Sequence, residues 1–221
     1  MSYFSFYQTK KVNIAGPCLP WYCYSTYSDY HINYGDDYQS YSMNFEFNYF
    51  STVFNQITLN SNGYILFNSL SGCCTGEAMI IPSNSISLFN IWFNYCYYGY
   101  IYYQIATSSD LILIQDQLNQ YGFNNFTPQN AFIVTFDGME NDNGEYANFQ
   151  VILSTDSYSS FVTICYDSCS STPSYLTTPG LYYMDLNGQQ NIYQMIDPCT
   201  SSNVGLNSLW IFNVTLFGLY F

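Results

Sequence analysis

Few residues in this chain are equipped for chemistry. His31 is the single histidine, and it sits in a Tyr- and Asp-rich stretch near Asp29, Asp36 and Asp37. A Ser-His-Asp or Cys-His relay needs that imidazole beside an activated nucleophile. No G-x-S-x-G elbow, P-loop or G-x-G-x-x-G run occurs, so the expected role of His31 is hydrogen bonding or solvent contact. Asp36 and Asp37 suit calcium ligation, an acid/base pair or turn formation. Turn formation is the expectation, because Asp side chains accept from nearby backbone amides at strand starts. A glycosidase needs two carboxylates flanking a bond, and nothing singles out a pair among the fifteen acids. The acidic segment 137–145 (DGMENDNGE) fails the EF-hand pattern. With Gly144 as the invariant glycine, Met139 and Gln150 fall at the first and last liganding positions. It reads as a solvated hairpin turn. Lys10 and Lys11 are the two lysines and arginine is absent, so no cationic side chain is placed to stabilise an oxyanion or phosphate. No enzymatic activity and no cofactor are expected.

Eight cysteines stand at Cys18, Cys23, Cys73, Cys74, Cys96, Cys165, Cys169 and Cys199. A zinc site needs two CxxC-type knuckles; Cys18/Cys23 and Cys165/Cys169 approach that pattern with the wrong inner spacing. An even count favours disulfides, with on the order of a hundred connectivities open. The adjacent Cys73 and Cys74 are expected to take separate partners, since a bridge between neighbours strains the intervening peptide. Disulfides imply an oxidising, extracellular compartment. Asn213-Val-Thr and Asn125-Phe-Thr are glycosylation sequons, the second followed by Pro128.

Charge excludes several partners. The formal net charge is −13. Nucleic-acid binding needs several Lys or Arg to neutralise phosphates, and anionic membrane surfaces need them too. No run reaches the roughly 18 apolar residues of a spanning helix; the longest, Leu209 to Phe221, is interrupted by Asn213. Met1 to Pro20 shows neither a basic n-region nor an apolar core, which reads as a mature or trimmed chain. The apolar fraction of 48%, with 26 tyrosines, is ample for a core. Tyr buries a large surface while keeping one polar tip.

The elements that would position these groups are mostly strands. Gln56 to Phe67 reads as a hairpin around Asn62-Gly63, which supplies positive φ at low steric cost. Met43 to Phe54 alternates Met43, Phe45 and Phe47 with Asn44, Glu46 and Asn48, a half-buried strand. Two strands are expected over 86–105, then a helix over about 109–121. Ser109 is its expected cap, Asp110 suits the dipole, Leu111, Ile114 and Leu118 share a face, and Gly122 ends it. Strands return at Ala131–Phe136, Tyr146–Thr155 and Ser160–Tyr166, with weaker ones about the Asn187-Gly188 turn. In the closing stretch Trp210, Phe212, Val214 and Leu216 share one face and Ile211 and Thr215 the other. The expected fold is mainly β: a two-layer, disulfide-bonded sandwich of antiparallel or mixed sheets with one helix and long loops. Residues 1–32 form a Tyr-rich strand or arm and residues 33–221 the β domain.

This succession resembles the extracellular NIDO domain, named after nidogen and found in tectorin-like and mucin-like surface proteins. The residues that carry the likeness begin with Gly35, Asp36, Asp37 and Ser40, then Asn62, Gly63 and Tyr64, then Ile86, Phe89 and Trp92. They continue through Ile101, Tyr102 and Tyr103, Val134, Thr135 and Phe136, and Asn148, Phe149, Gln150, Val151 and Leu153. Phe161, Val162 and Tyr166 complete them. The likeness covers roughly 33–215. Phe136 stands where the family usually has Trp, Gln104 where Arg is common, and the cysteines are extra. The resemblance implies a matrix or adhesion component.

The expected function is therefore a non-catalytic extracellular building block that associates with itself into a matrix or filament. The uncharged runs CYYGYIYYQI and WIFNVTLFGLYF would aggregate if left as bare edges, so another element or another subunit must cover them. Tyr3, Phe4, Phe6, Trp210, Phe212, Val214 and Leu216 are the expected assembly contacts. The alternative is a recognition module for glycans or surface proteins, built on Tyr side chains and on Trp21 or Trp92.

Overall fold

The computed structural model describes residues 18–19, 29–31, 38–60, 63–67, 84–88, 99–140, 144, 146–169 and 179–215. In chain order they form β1 (Asp29–His31), β2 (Tyr38–Tyr49), β3 (Thr52–Asn60), β4 (Tyr64–Leu66), β5 (Ser85–Ser87) and β6 (Tyr100–Ile105). The helix α1 (Ser108–Gln120) follows, then β7 (Asn130–Glu140), β8 (Tyr146–Thr155), β9 (Ser160–Cys169), β10 (Gly180–Met184), β11 (Gln190–Gln194) and β12 (Leu209–Asn213). One sheet is ordered β1-β6-β7-β8-β9-β12 and the other β11-β10-β5-β4-β3-β2. Each neighbouring pair is antiparallel.

Period-two patterning puts one side-chain set of each strand into the shared core. The first sheet contributes Val134, Phe136, Phe149, Val151, Leu153, Val162, Ile164, Trp210 and Phe212; the second contributes Phe47, Ile57, Leu59, Ile65, Ile86 and Leu181. The opposite set in the first sheet does not face water. Ala131, Ile133, Ile152, Phe161, Leu209 and Ile211 join Ile114 and Leu118 of the helix, Phe126, and Cys18 and Leu19 in a second apolar cluster. The molecule is thus a sandwich with a helix laid on the outside of one sheet.

Tyrosine fits this core where a buried hydroxyl has a carbonyl to reach, as at Tyr49 and Tyr166. Tyr49 donates to Ser85 O at 3.0 Å and Tyr182 O at 3.2 Å, linking β2 to β5 and β10. Tyr166 donates to Leu88 O at 2.6 Å. Burial first, and the neighbouring Tyr183 second, push the Tyr49 phenol well above its ordinary range, so it stays a donor.

Two local expectations are corrected. Residues 43–54 are not one strand: the chain reverses at Phe50-Ser51, where φ is +46° and +66°, and β3 runs back from Thr52. Two consecutive positive φ angles make the hairpin turn that matches strand twist, usually built from Asn or Gly. Here tertiary bonds supply what composition lacks, since Phe50 N donates to Val214 O at 2.6 Å and Ser51 N to Thr215 O at 3.2 Å. The helix is capped by Thr107, two residues before Ser109. Its hydroxyl accepts from Asp110 N while the Asp110 carboxylate accepts from Thr107 N at 2.8 Å, a reciprocal capping box. Gly122, at φ +92°, ends the helix as expected.

Candidate interaction surfaces

An antiparallel sandwich meets other molecules most readily at its edges, where backbone N–H and C=O groups point outward. β12 is one such edge, and it is already covered. Ile211 N donates to Asn203 Oδ1 at 2.9 Å, and Asn203 Nδ2 donates to Ile211 O at 2.6 Å. One side-chain amide therefore completes both outward backbone groups of Ile211, as a neighbouring strand would. The segment carrying Asn203 is fastened by the Cys169–Cys199 disulfide, by Trp210 Nε1 donating to Pro198 O at 3.0 Å, and by Ser208 Oγ donating to Cys199 O. A second disulfide, Cys18–Cys165, fixes the N-terminal segment to β9.

The side chains of Trp210, Phe212 and Val214 lie in the core, at 6%, 5% and 0% exposure. They serve their own domain, and β12 presents no apolar face outward. Tyr3, Phe4, Phe6 and Leu216 lie outside the described residues, as do Cys23, Cys73, Cys74, Cys96, Trp21, Trp92, Asp36 and Asp37. Asn125 is exposed in the turn after the helix. Asn213 is partly covered, and its Oδ1 accepts the Thr215 N–H at 3.1 Å and hydroxyl at 2.7 Å.

The β10–β11 hairpin forms a different kind of edge. Asp185 and Gln189 close a three-residue loop with Gly188 at φ +73°, the usual glycine position of such loops. Leu186 at its tip is 86% exposed, Ile192 on β11 38%, and Ile196 just beyond 63%. Gly180 is what lets β11 lie so close to β10, since a Cβ there would run into the Tyr193 carbonyl oxygen. Gly180→Ala is expected to cost about 1–3 kcal/mol and to raise amide exchange along β11 before the rest of the sandwich. Hydrogen exchange resolved by segment tests this, and uniform protection in the variant would refute it. Nothing in the sequence singles out Asn203, Gly180 or Ile192 in these roles; they emerge from the pairing register.

A third surface is acidic. A bulge between Phe136 and Met139 turns the end of β7, with Gly138 at φ +65° and its N–H donating to Asn148 Oδ1 at 2.6 Å. Asn148 Nδ2 reaches Ser168 Oγ at 2.9 Å. Half-burial, and then the Asp167 carboxylate, raise the Asp137 carboxyl above the usual carboxylate range. A raised native value means that folding is favoured when this group is protonated, and the advantage is lost as pH rises through the native pKa. Asp137→Asn is therefore expected to melt higher than the parent at pH 7, with the gap closing below the unfolded value of about 3.9. Thermal melts across that range check the sign. Among the described residues no three His, Cys, Asp or Glu side chains are grouped to hold a metal, and no helix is long and apolar enough to cross a membrane.

Comparison with curated proteins and with solved structures gave no match. A family model, described as the nidogen-like domain, matches residues 55–215. The match takes in every strand from the body of β3 to β12 and leaves the Gly35-Asp36-Asp37 segment outside. The two disulfides fit an extracellular setting, and the span of the match, well over half of the chain, places the chain in the nidogen-like (NIDO) domain family, an extracellular, matrix-type domain.

Proposed function

We propose that this chain is a non-catalytic structural unit of an extracellular matrix or surface, and that it works by associating with copies of itself. The observation that supports this most directly is the uncharged strand β11 at the edge of its sheet. Ile192 on it and Leu186 and Ile196 beside it are exposed, as are Val53, Ile105 and Ile112 on other elements, and an edge strand without charge is one to which further strands add. The two disulfides suit a secreted or cell-surface setting, and of the two sequons Asn125 is the one whose side chain faces solvent.

The test is the size distribution of the purified, oxidised protein across a wide concentration range, by sedimentation and by electron microscopy. Concentration-dependent association is expected. A monomer at every concentration would sink self-association, and saturable binding by such a monomer on a glycan array would move the function to recognition.

A further inference from the structure

We infer that the self-association proposed above, on which this inference rests, is seated on β11: two copies meet edge to edge, antiparallel about a twofold axis at Ile192, so that their β11-containing sheets become one continuous sheet. The backbone register sets the geometry. Asp185 N donates to Gln189 O at 2.9 Å and Met195 N to Pro179 O at 2.9 Å. Hydrogen-bonded pairs alternate with non-bonded pairs in an antiparallel ladder, so Asn191 and Tyr193 exchange bonds with β10. The N–H and C=O groups of Ile192 and Gln194 then point off the sheet.

Charge selects the occupant. Between Asp185 and Asp197 no residue is charged. Copies carrying −13 each repel one another over most of their surface, and a charge-free strand is where they approach at least cost. A basic partner, by contrast, would find nothing to pair with along this edge. The strand is also complementary to itself: about Ile192, Gln190 faces Gln194 of the second copy, Asn191 faces Tyr193, and Ile192 meets Ile192 on the outer face. The other edges are less suited. β12 is completed by Asn203, and β1 has three residues. β2 is broken by a bulge between Ser42 and Phe47, carries Glu46, and donates its Asn48 N–H to Ser160 Oγ at 3.2 Å.

Such a contact is isologous and closes as a dimer. Five residues of strand bury less than the roughly 1,000 Å² of a stable interface, so the dimer is weak and forms at high concentration. A longer assembly would need a second contact beyond it.

Sedimentation of the parent, Ile192→Lys and the control Val53→Lys, which alters another exposed position, tests the inference. Ile192→Lys sets two ammonium groups against each other and removes the apolar pair. At least a tenfold weaker association is expected, with Val53→Lys unchanged. Ile192→Cys supplies a second readout that survives misfolding of the lysine variant. Bonded cross-strand Cα atoms lie about 5.5 Å apart, within disulfide reach, so a covalent dimer should form under mild oxidation where Val53→Cys forms none. A parent that associates while Ile192→Lys associates equally and Ile192→Cys stays uncrosslinked overturns the β11 seat and leaves self-association standing. A parent that stays monomeric throughout removes both.

Discussion

Replacing Cys18 and Cys165 together by alanine is expected to be the most damaging change short of breaking the central core. The bridge closes a loop with a sequence separation of 147. On the chain-entropy account it restrains the unfolded ensemble by about 5 kcal/mol, against about 3.5 kcal/mol for a separation of 30, which is that of Cys169–Cys199. The native state loses as well. Cys165 is buried on the outer face of β9, in the same cluster as Ile152, Ile211 and the helix residues Ile114 and Leu118. Unfastening Cys18 loosens the Cys18-Leu19 pair that covers part of that cluster. For a domain of this size the midpoint should fall by about 10–20 °C, and denaturant titration of both paired variants checks the order. A larger loss from the Cys169–Cys199 pair would mean that local fastening, not loop length, governs the stability.

Much of this sandwich is legible in the amino-acid sequence because its inner strands are simple. Asn148 to Thr155 alternates Phe149, Val151 and Leu153 with Gln150, Ile152 and Ser154, and β8 buries the first set in the core. Trp210, Phe212 and Val214 read equally well as one face. That pattern does not show that the other face is covered too. Leu209 and Ile211 are apolar because the helix-side cluster lies over them, a fact of tertiary arrangement that period-two counting cannot supply. The same limit hides the turn at Phe50-Ser51, whose residue types carry no turn signal and whose geometry is held by Val214 and Thr215 from the far end of the chain. Thr107 does carry a local signal, since Thr-x-x-Asp is a weaker form of the capping box. Composition alone points self-association to the terminal stretches, of which residues 1–17 and 216–221 lie outside the described residues. Composition marks a strand as apolar, whereas only the register says which edge is already completed.

That difference is measurable at Asn203. Asn203→Ala is expected to destabilise the domain by about 1–2 kcal/mol, because both outward backbone groups of Ile211 lose their partner; Asn203 is itself exposed, so water takes its place and what is lost is the net worth of two hydrogen bonds. Ile211 and Leu209 are fully buried as side chains, so β12 keeps its place and the two backbone groups meet solvent at the position that Asn203 vacates. The Ile211 amide should exchange far faster than that of Phe212, which pairs with β9. Asn203→Asp separates the two bonds. The carboxylate still accepts the Ile211 N–H but faces the Ile211 carbonyl without a proton to donate. Its native pKa is then raised, so this variant should gain stability as pH falls, while the alanine variant does not. With its cap removed, β12 also becomes an uncharged edge beside Trp210 and Phe212, the kind that recruits further strands. Ordered β aggregates that bind amyloid dyes, growing from Asn203→Ala and not from the parent, are the expected second effect. Unchanged stability together with an unchanged Ile211 exchange rate would show that this amide is ornament and that some other feature keeps β12 closed.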